Sequence, residues 1–123
     1  MRFKAKHTLE ERCSESQRVL TKYEDRIPCI VEKGKCKYDI DKEKYLVPNN
    51  LTIGQFIWII RKRIKMKAEE ALFLSVDGCL INTNAFLLSV YHTHKNIDGF
   101  LYIDYHSENC FGLNKFKYKK FFS

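Results

Sequence analysis

Residues 39–65, DIDKEKYLVPNNLTIGQFIWIIRKRIK, decide how this chain folds. Tyr45, Leu46 and Val47 are strand formers, and Pro48 with the Asn49-Asn50 turn signal closes them off. Thr52 followed three residues later by Gln55 is a capping box, in which each side chain satisfies a backbone N–H that the first helical turn leaves open. Ile53 to about Lys65 then runs without proline. At 100° per residue Ile53, Phe56, Ile57, Ile60 and Ile64 share one arc, the pattern of a helix laid on a core. Trp58 and Ile59 fall outside that arc, and Trp58 is expected to be covered by an N-terminal helix or a loop.

The same signals extend outward on both sides. Thr8 and Glu11 form a second capping box, and Leu9 to about Tyr23 lacks Pro and Gly, so a helix is predicted with Val19 and Leu20 on its apolar side. Arg26 to Glu32 reads as a strand with Pro28 near an edge or start, followed by a turn at Gly34. Downstream, Leu72 to Val76 and Cys79 to Ile81 flank the hairpin turn Asp77-Gly78. Asn82 to Asn84 are expected to cap a short helix through Leu87, Leu88 and Tyr91, and Asp98-Gly99 to turn the chain into a last strand, Phe100 to Tyr105. Helix, two strands, long helix, two strands, short helix, strand is the order of an α+β ubiquitin-like β-grasp. It has a mixed four- to five-stranded sheet crossed by a long helix, with an added N-terminal helix or helices.

Composition narrows the function classes. A chain of 123 residues with 45% hydrophobic residues can bury a core without staples and does not have the signature of disorder. The five cysteines, Cys13, Cys29, Cys36, Cys79 and Cys110, never take C-x-x-C spacing and read as free thiols. The longest apolar run, Phe56 to Ile60, is too short to cross a bilayer, and no secretory leader follows Met1, so a cytoplasmic protein is expected. His92 and His94 are two apart and do not share a helix face, which argues against a metal pair. Without a Gly-rich phosphate loop or a triad-like arrangement, no catalytic residue is expected, and no cofactor. Four lysines of the tail, Lys115, Lys117, Lys119 and Lys120, account for four of the seven net positive charges and leave +3 for residues 1–112. That excess suits anionic lipid, nucleic acid or acidic peptides alike.

Four segments resemble the autophagy-related ubiquitin-like modifiers, the family that includes GABARAP and microtubule-associated light chain three. They are KYEDRIPCIVEK (22–33), residues 39–65, DGFLYIDY (98–105) and the Phe111-Gly112 dipeptide. The resemblance covers nearly all of residues 1–112. Gly34 to Asp39 is about two residues shorter than is typical of the family, and residues 113–123 form a longer, more aromatic tail. It implies one ubiquitin-like domain, 1–112, and a basic tail, 113–123, that proteolysis removes.

The resemblance also implies function. A cysteine protease would cut after Gly112, next to Phe111, and activating and conjugating enzymes would join that glycine to phosphatidylethanolamine, which places the protein on autophagosome or related vesicle membranes. Cargo receptors and adaptors would bind through short acidic motifs of the form aromatic-x-x-aliphatic, added as a strand to the sheet edge. Pocket one would be walled by Glu15, Val19, Pro28, Ile30, Lys44, Leu46 and Phe100, and pocket two by Tyr45, Val47, Pro48, Leu51, Phe56 and Ile59. Arg63, helped by Lys42, would meet the acidic flank. Spacing alone adds that Phe56, Ile59 and Arg63, at i, i+3 and i+7, line one ridge of the helix. Nucleic acid is not an expected partner. The competing reading is an unprocessed basic module that binds anionic lipid, tubulin or nucleic acid through Lys115 to Phe122 and the Arg61 to Lys65 face.

Overall fold

The structure, a computed structural model, describes residues 2–107. Its elements run α1 (Phe3–Lys6), α2 (Leu9–Lys22), β1 (Arg26–Lys33), β2 (Lys44–Pro48), α3 (Ile53–Ile64), β3 (Leu72–Val76), β4 (Cys79–Leu80), α4 (Leu87–His94) and β5 (Leu101–Ser107). The five strands form one mixed sheet in the order β2-β1-β5-β3-β4. β1 and β5 run parallel, with Cys29 opposite Leu101, and the other pairs are antiparallel.

β1 is buried at six consecutive positions, Ile27 to Glu32, because helices cover both of its faces. Ile27, Cys29 and Val31 point into the main core with Ile53, Phe56, Ile60 and Ile64 of α3. Ile30 points the other way, into a smaller cluster with Phe3 and Phe100. Both predicted capping boxes form: Thr8 with Glu11 opens α2, and Thr52 with Gln55 opens α3. Asp77 and Gly78 both take positive φ, as a two-residue hairpin turn requires.

Several expectations change. α1 adds a one-turn helix whose Phe3 is buried, too short to leave a periodic signal in the sequence. Pro28 lies near the start of β1, but that strand has neighbours on both sides. The proline is tolerated because pairing with β5 begins only at Cys29, and the adjacent Phe100 carbonyl accepts from the Asn96 N–H instead (2.8 Å). Asn82 to Asn84 do not cap α4. Asn82 Oδ1 accepts the Asn84 N–H (2.9 Å) in a local turn, and Phe86 stands at the cap without a side-chain bond. β4 ends at Leu80, and β5 starts one residue later than expected and continues to Ser107. Trp58 is not covered: it is 59% exposed, with Lys62 Nζ 3.4 Å above its ring.

Candidate functional site

β2 is an edge strand, so half of its backbone groups lack a neighbour. The Val31 N–H donates to Glu43 O (2.8 Å), and alternation along the antiparallel pair then turns the Tyr45 and Val47 backbones toward β1. The Lys44 and Leu46 backbones face outward. Arg26 Nη1 reaches the Leu46 carbonyl only at 3.5 Å, which leaves that edge open to a further strand.

Side chains alternate across the same strand. Lys44 and Leu46 point to the α2 face, where a hollow of about 200 Å3 opens, lined by Glu15, Val19, Pro28, Lys42, Lys44, Tyr45, Leu46 and Phe100. Six of the seven residues expected in pocket one therefore meet in one cavity. Ile30 does not reach it, because it is fully buried against Phe3 and Phe100 beneath. Lys42, expected as an acidic-flank partner, and Tyr45, expected in pocket two, also border this hollow.

Tyr45 and Val47 point to the α3 face, and this side is filled. Tyr45 stacks edge-on against Phe56 with ring centroids 5.8 Å apart, and Phe56, Val47 and Tyr45 are core residues. Leu51 and Ile59 pack against them half-exposed, with Pro48 at the strand end also half-exposed. On this face Tyr45, Val47 and Phe56 are core in the free protein, and of the six residues expected in pocket two the accessible ones are Pro48, Leu51 and Ile59; Tyr45 also borders the α2-side hollow. Among the described residues the buried Tyr45 hydroxyl has no hydrogen-bond partner. Burial pushes its phenol up to about 12, an effect Arg63 opposes and Asp41 reinforces.

Two basic residues of the rim, Arg63 and Lys44, are already held by acids, and Lys42 lies over the Tyr45 ring. Arg63 holds Asp41 in a two-pronged pair, Nε to Oδ1 at 3.0 Å and Nη2 to Oδ2 at 3.1 Å. Lys44 Nζ holds Glu15 at 2.9 Å. Arg61 is a structural cap, donating to the Glu70 and Lys67 carbonyls at 2.6 and 3.1 Å where α3 ends at the left-handed Lys65. Phe111 and Gly112 lie outside the described residues.

What fixes α2 as the wall of the open hollow escaped sequence reading. Asp98 is fully buried and accepts from Arg12 Nη1 (2.6 Å), the Tyr102 hydroxyl (2.5 Å) and the Phe100 N–H (2.9 Å). Its own carbonyl accepts from the Ser16 hydroxyl. Gly99 sits at φ +92°, and a Cβ there would lie 2.4 Å from Ser16 Oγ, so the turn admits α2 only as glycine. Asp98-Gly99 signalled a turn, but nothing local linked it to Arg12, 86 residues earlier. Among the described residues no group of three or more His, Cys, Asp or Glu is placed to hold a metal ion, and no helix is long and apolar enough to cross a membrane. Cys13, Cys29, Cys36 and Cys79 are free thiols, and burial raises that of Cys29 well above its ordinary range.

Comparison with known proteins places this geometry. A family profile described as "Autophagy protein Atg8 ubiquitin like" matches residues 11–112. Autophagy-related protein 8B of Oryza sativa is 51% identical over 113 residues, 90% of this chain and 95% of that protein. Autophagy-related protein 8 of Kluyveromyces lactis is 51% identical over 112 residues, 89% of this chain and 90% of that protein. The crystal structure of Trypanosoma brucei ATG8 superposes with a TM-score of 0.85 at 37% identity, covering 88% of this chain and 95% of that one.

Proposed function

Since the chain belongs to the Atg8 family of ubiquitin-like autophagy proteins, we propose that it is a modifier joined through Gly112 to phosphatidylethanolamine, whose β2 edge captures acidic aromatic-x-x-aliphatic peptides of cargo receptors. The observation that carries the peptide reading is the disposition of β2. In an extended strand, residues three apart point to opposite faces of the sheet. An aromatic-x-x-aliphatic segment paired to β2 thus sends its aromatic anchor into the α2-side hollow and its aliphatic anchor to the α3 side, against Leu51 and Ile59.

Magnitudes agree with a regulated contact. Two anchors contribute about 1.5–3 kcal/mol each and each added backbone hydrogen bond about 1 kcal/mol, against about 2–5 kcal/mol for ordering the peptide. With about four such bonds the balance is about −2 to −8 kcal/mol, micromolar at its strongest, which many copies on one membrane would multiply. Two long acyl chains on the attached lipid make such anchorage stable where one short chain would not. The protein would be a cytoplasmic precursor until a processing protease exposes Gly112, and activating and conjugating enzymes would then catalyse its attachment to the lipid, after which it recruits cargo receptors.

Incubating the full chain with a family protease and the lipidation enzymes should shorten it to Gly112 and shift it to the membrane fraction. If Gly112→Ala behaves like the parent, the conjugation reading fails. Intact mass of the protein from its own cells gives a direct check: a tail of residues 113–123 that is always retained favours the basic-module reading instead.

A further inference from the structure

Two acids of the chain itself hold two of the cations that border the open edge, one on each face of the sheet, while Lys42, a third, lies over the Tyr45 ring. On the α3 face Asp41 holds Arg63 with both carboxylate oxygens, and on the α2 face Glu15 holds Lys44. Neither pair is a buried structural element. Arg63 and Asp41 are 39% and 67% exposed, and Lys44 and Glu15 are 51% and 30% exposed, so both pairs lie where solvent and ligand reach them. Exposed pairs of this kind contribute little to stability, which leaves their presence at the rim without a folding rationale. Asp41 also lies close enough to reinforce the upward shift of the Tyr45 phenol that Arg63 opposes, so this pair sits beside the residue that closes the α3 side.

We propose that Asp41 and Glu15 are specificity-determining residues that set how much a peptide's acidic flank counts. This rests on the β2 edge being the peptide site. In the free protein each acid stands where a ligand carboxylate or phosphoryl group would bind. An incoming acid must displace it, and the displaced carboxylate then stays nearby as a like charge. At Arg63 and Lys44 the acidic flank therefore adds only the difference between two ion pairs, and binding leans on the aromatic and aliphatic anchors. The edge remains open to weakly acidic partners and releases strongly acidic ones readily.

The test uses the full chain and two synthetic peptides with one aromatic-x-x-aliphatic core, one flanked by glutamates and the other by serines. Affinities of the parent, Asp41→Asn, Glu15→Gln and Asp39→Asn are measured by calorimetry at fixed ionic strength. Asp39 supplies the control, because it is an exposed acid two residues from Asp41 whose partner is Lys33 (2.9 Å), not Arg63 or Lys44. Asp41→Asn should tighten the acidic peptide about 3- to 5-fold with the serine-flanked peptide moving less than about 2-fold, Glu15→Gln, which also lines the hollow, should raise the ratio of acidic to serine-flanked affinity by about the same factor, and Asp39→Asn should leave both peptides nearly unchanged. The inference is overturned if the acidic-to-neutral ratio stays constant in both rim variants, or if Asp39→Asn raises it equally and so reduces the effect to net charge. If the parent binds neither peptide, the peptide-site reading itself fails and takes this inference with it. Unchanged circular dichroism and melting temperature of the variants separate these outcomes from misfolding.

Discussion

The two faces of β2 hold residues of one short strand in opposite states. On the α2 side Lys44 and Leu46 border an open hollow, whereas on the α3 side Tyr45 and Val47 are sealed into the core by Phe56. The difference comes from what lies across each face. α3 lays an apolar arc on the sheet and buries Tyr45 and Val47, whereas α2 is tied down by polar bonds at one turn, from Arg12 and Ser16 to Asp98. Apolar contact closes a surface, and polar pinning can keep one open. Perturbing the two sides should therefore give different losses.

The largest effect belongs to the sealed side. Phe56→Ala removes a fully buried ring from the main core and should destabilise the protein by about 3–5 kcal/mol, read as a shift of the urea midpoint. Next comes the pin. Asp98→Ala strands Arg12 and the Tyr102 hydroxyl in a buried site and should cost about 3 kcal/mol. It should also displace α2, so peptide affinity falls even though Asp98 does not line the hollow. A variant that loses stability and retains full affinity would show that α2 is held in place by something else.

On the open side the loss should move from stability to binding. Leu46→Ala trims a half-buried wall of the hollow, at about 1 kcal/mol of stability. Affinity for an aromatic-x-x-aliphatic peptide should drop about 10-fold or more by fluorescence anisotropy. Equal losses of stability and binding in Leu46→Ala and Phe56→Ala would erase the distinction between the faces.

How much of this was legible in the sequence follows the range of the signals. The capping boxes and the arc from Ile53 to Ile64 are local, and they placed α2 and α3 to within a residue or two. The alternation of Lys44, Tyr45, Leu46 and Val47 gave which residues share a face. It does not give how deeply α3 settles on one of them, so nothing in it tells that Tyr45, Val47 and Phe56 are buried in the free protein. The sequence marks Arg63 as a cation at the end of the helix, but its partner Asp41 lies 22 residues away across a loop and leaves no local trace. Trp58 was misplaced because periodicity identifies the buried side of a helix and says nothing of what covers the other. Asn82 could equally cap a helix or close its own turn, and the tertiary setting chose the turn.

Acid should act on the α2 side in a smaller way. Hydrogen bonds from the Thr8 backbone and side chain hold the Glu11 carboxyl below its ordinary 4.5. A depressed carboxyl contributes stability that is present above the unfolded value and is lost as pH falls through the folded one. The first turn of α2 should accordingly loosen below about pH 4.5, with a lower amide-exchange protection factor at Glu11, while Ile53 to Ile64 stay protected; the capping box of α3 relies on Gln55, which does not titrate. Glu11→Gln should keep the box and remove this pH dependence.

The smallest effect probes the seal itself. Tyr45→Phe deletes a buried hydroxyl that has no hydrogen-bond partner and keeps the ring against Phe56, so stability at neutral pH should stay level or rise by up to about 1 kcal/mol. The two proteins should then diverge in alkali. Because burial raises the folded phenol to about 12 from 10, its contribution is fully present below pH 10 and is lost as pH rises toward 12. Burial also raises Tyr102 and Tyr105, so the parent and the variant both weaken there, and Tyr45 is read from the difference between their urea midpoints. A gap that widens from pH 10 to 12 marks a phenol held in the core. A constant gap would mean that water already reaches the hydroxyl and that the α3 side is as open as the α2 side.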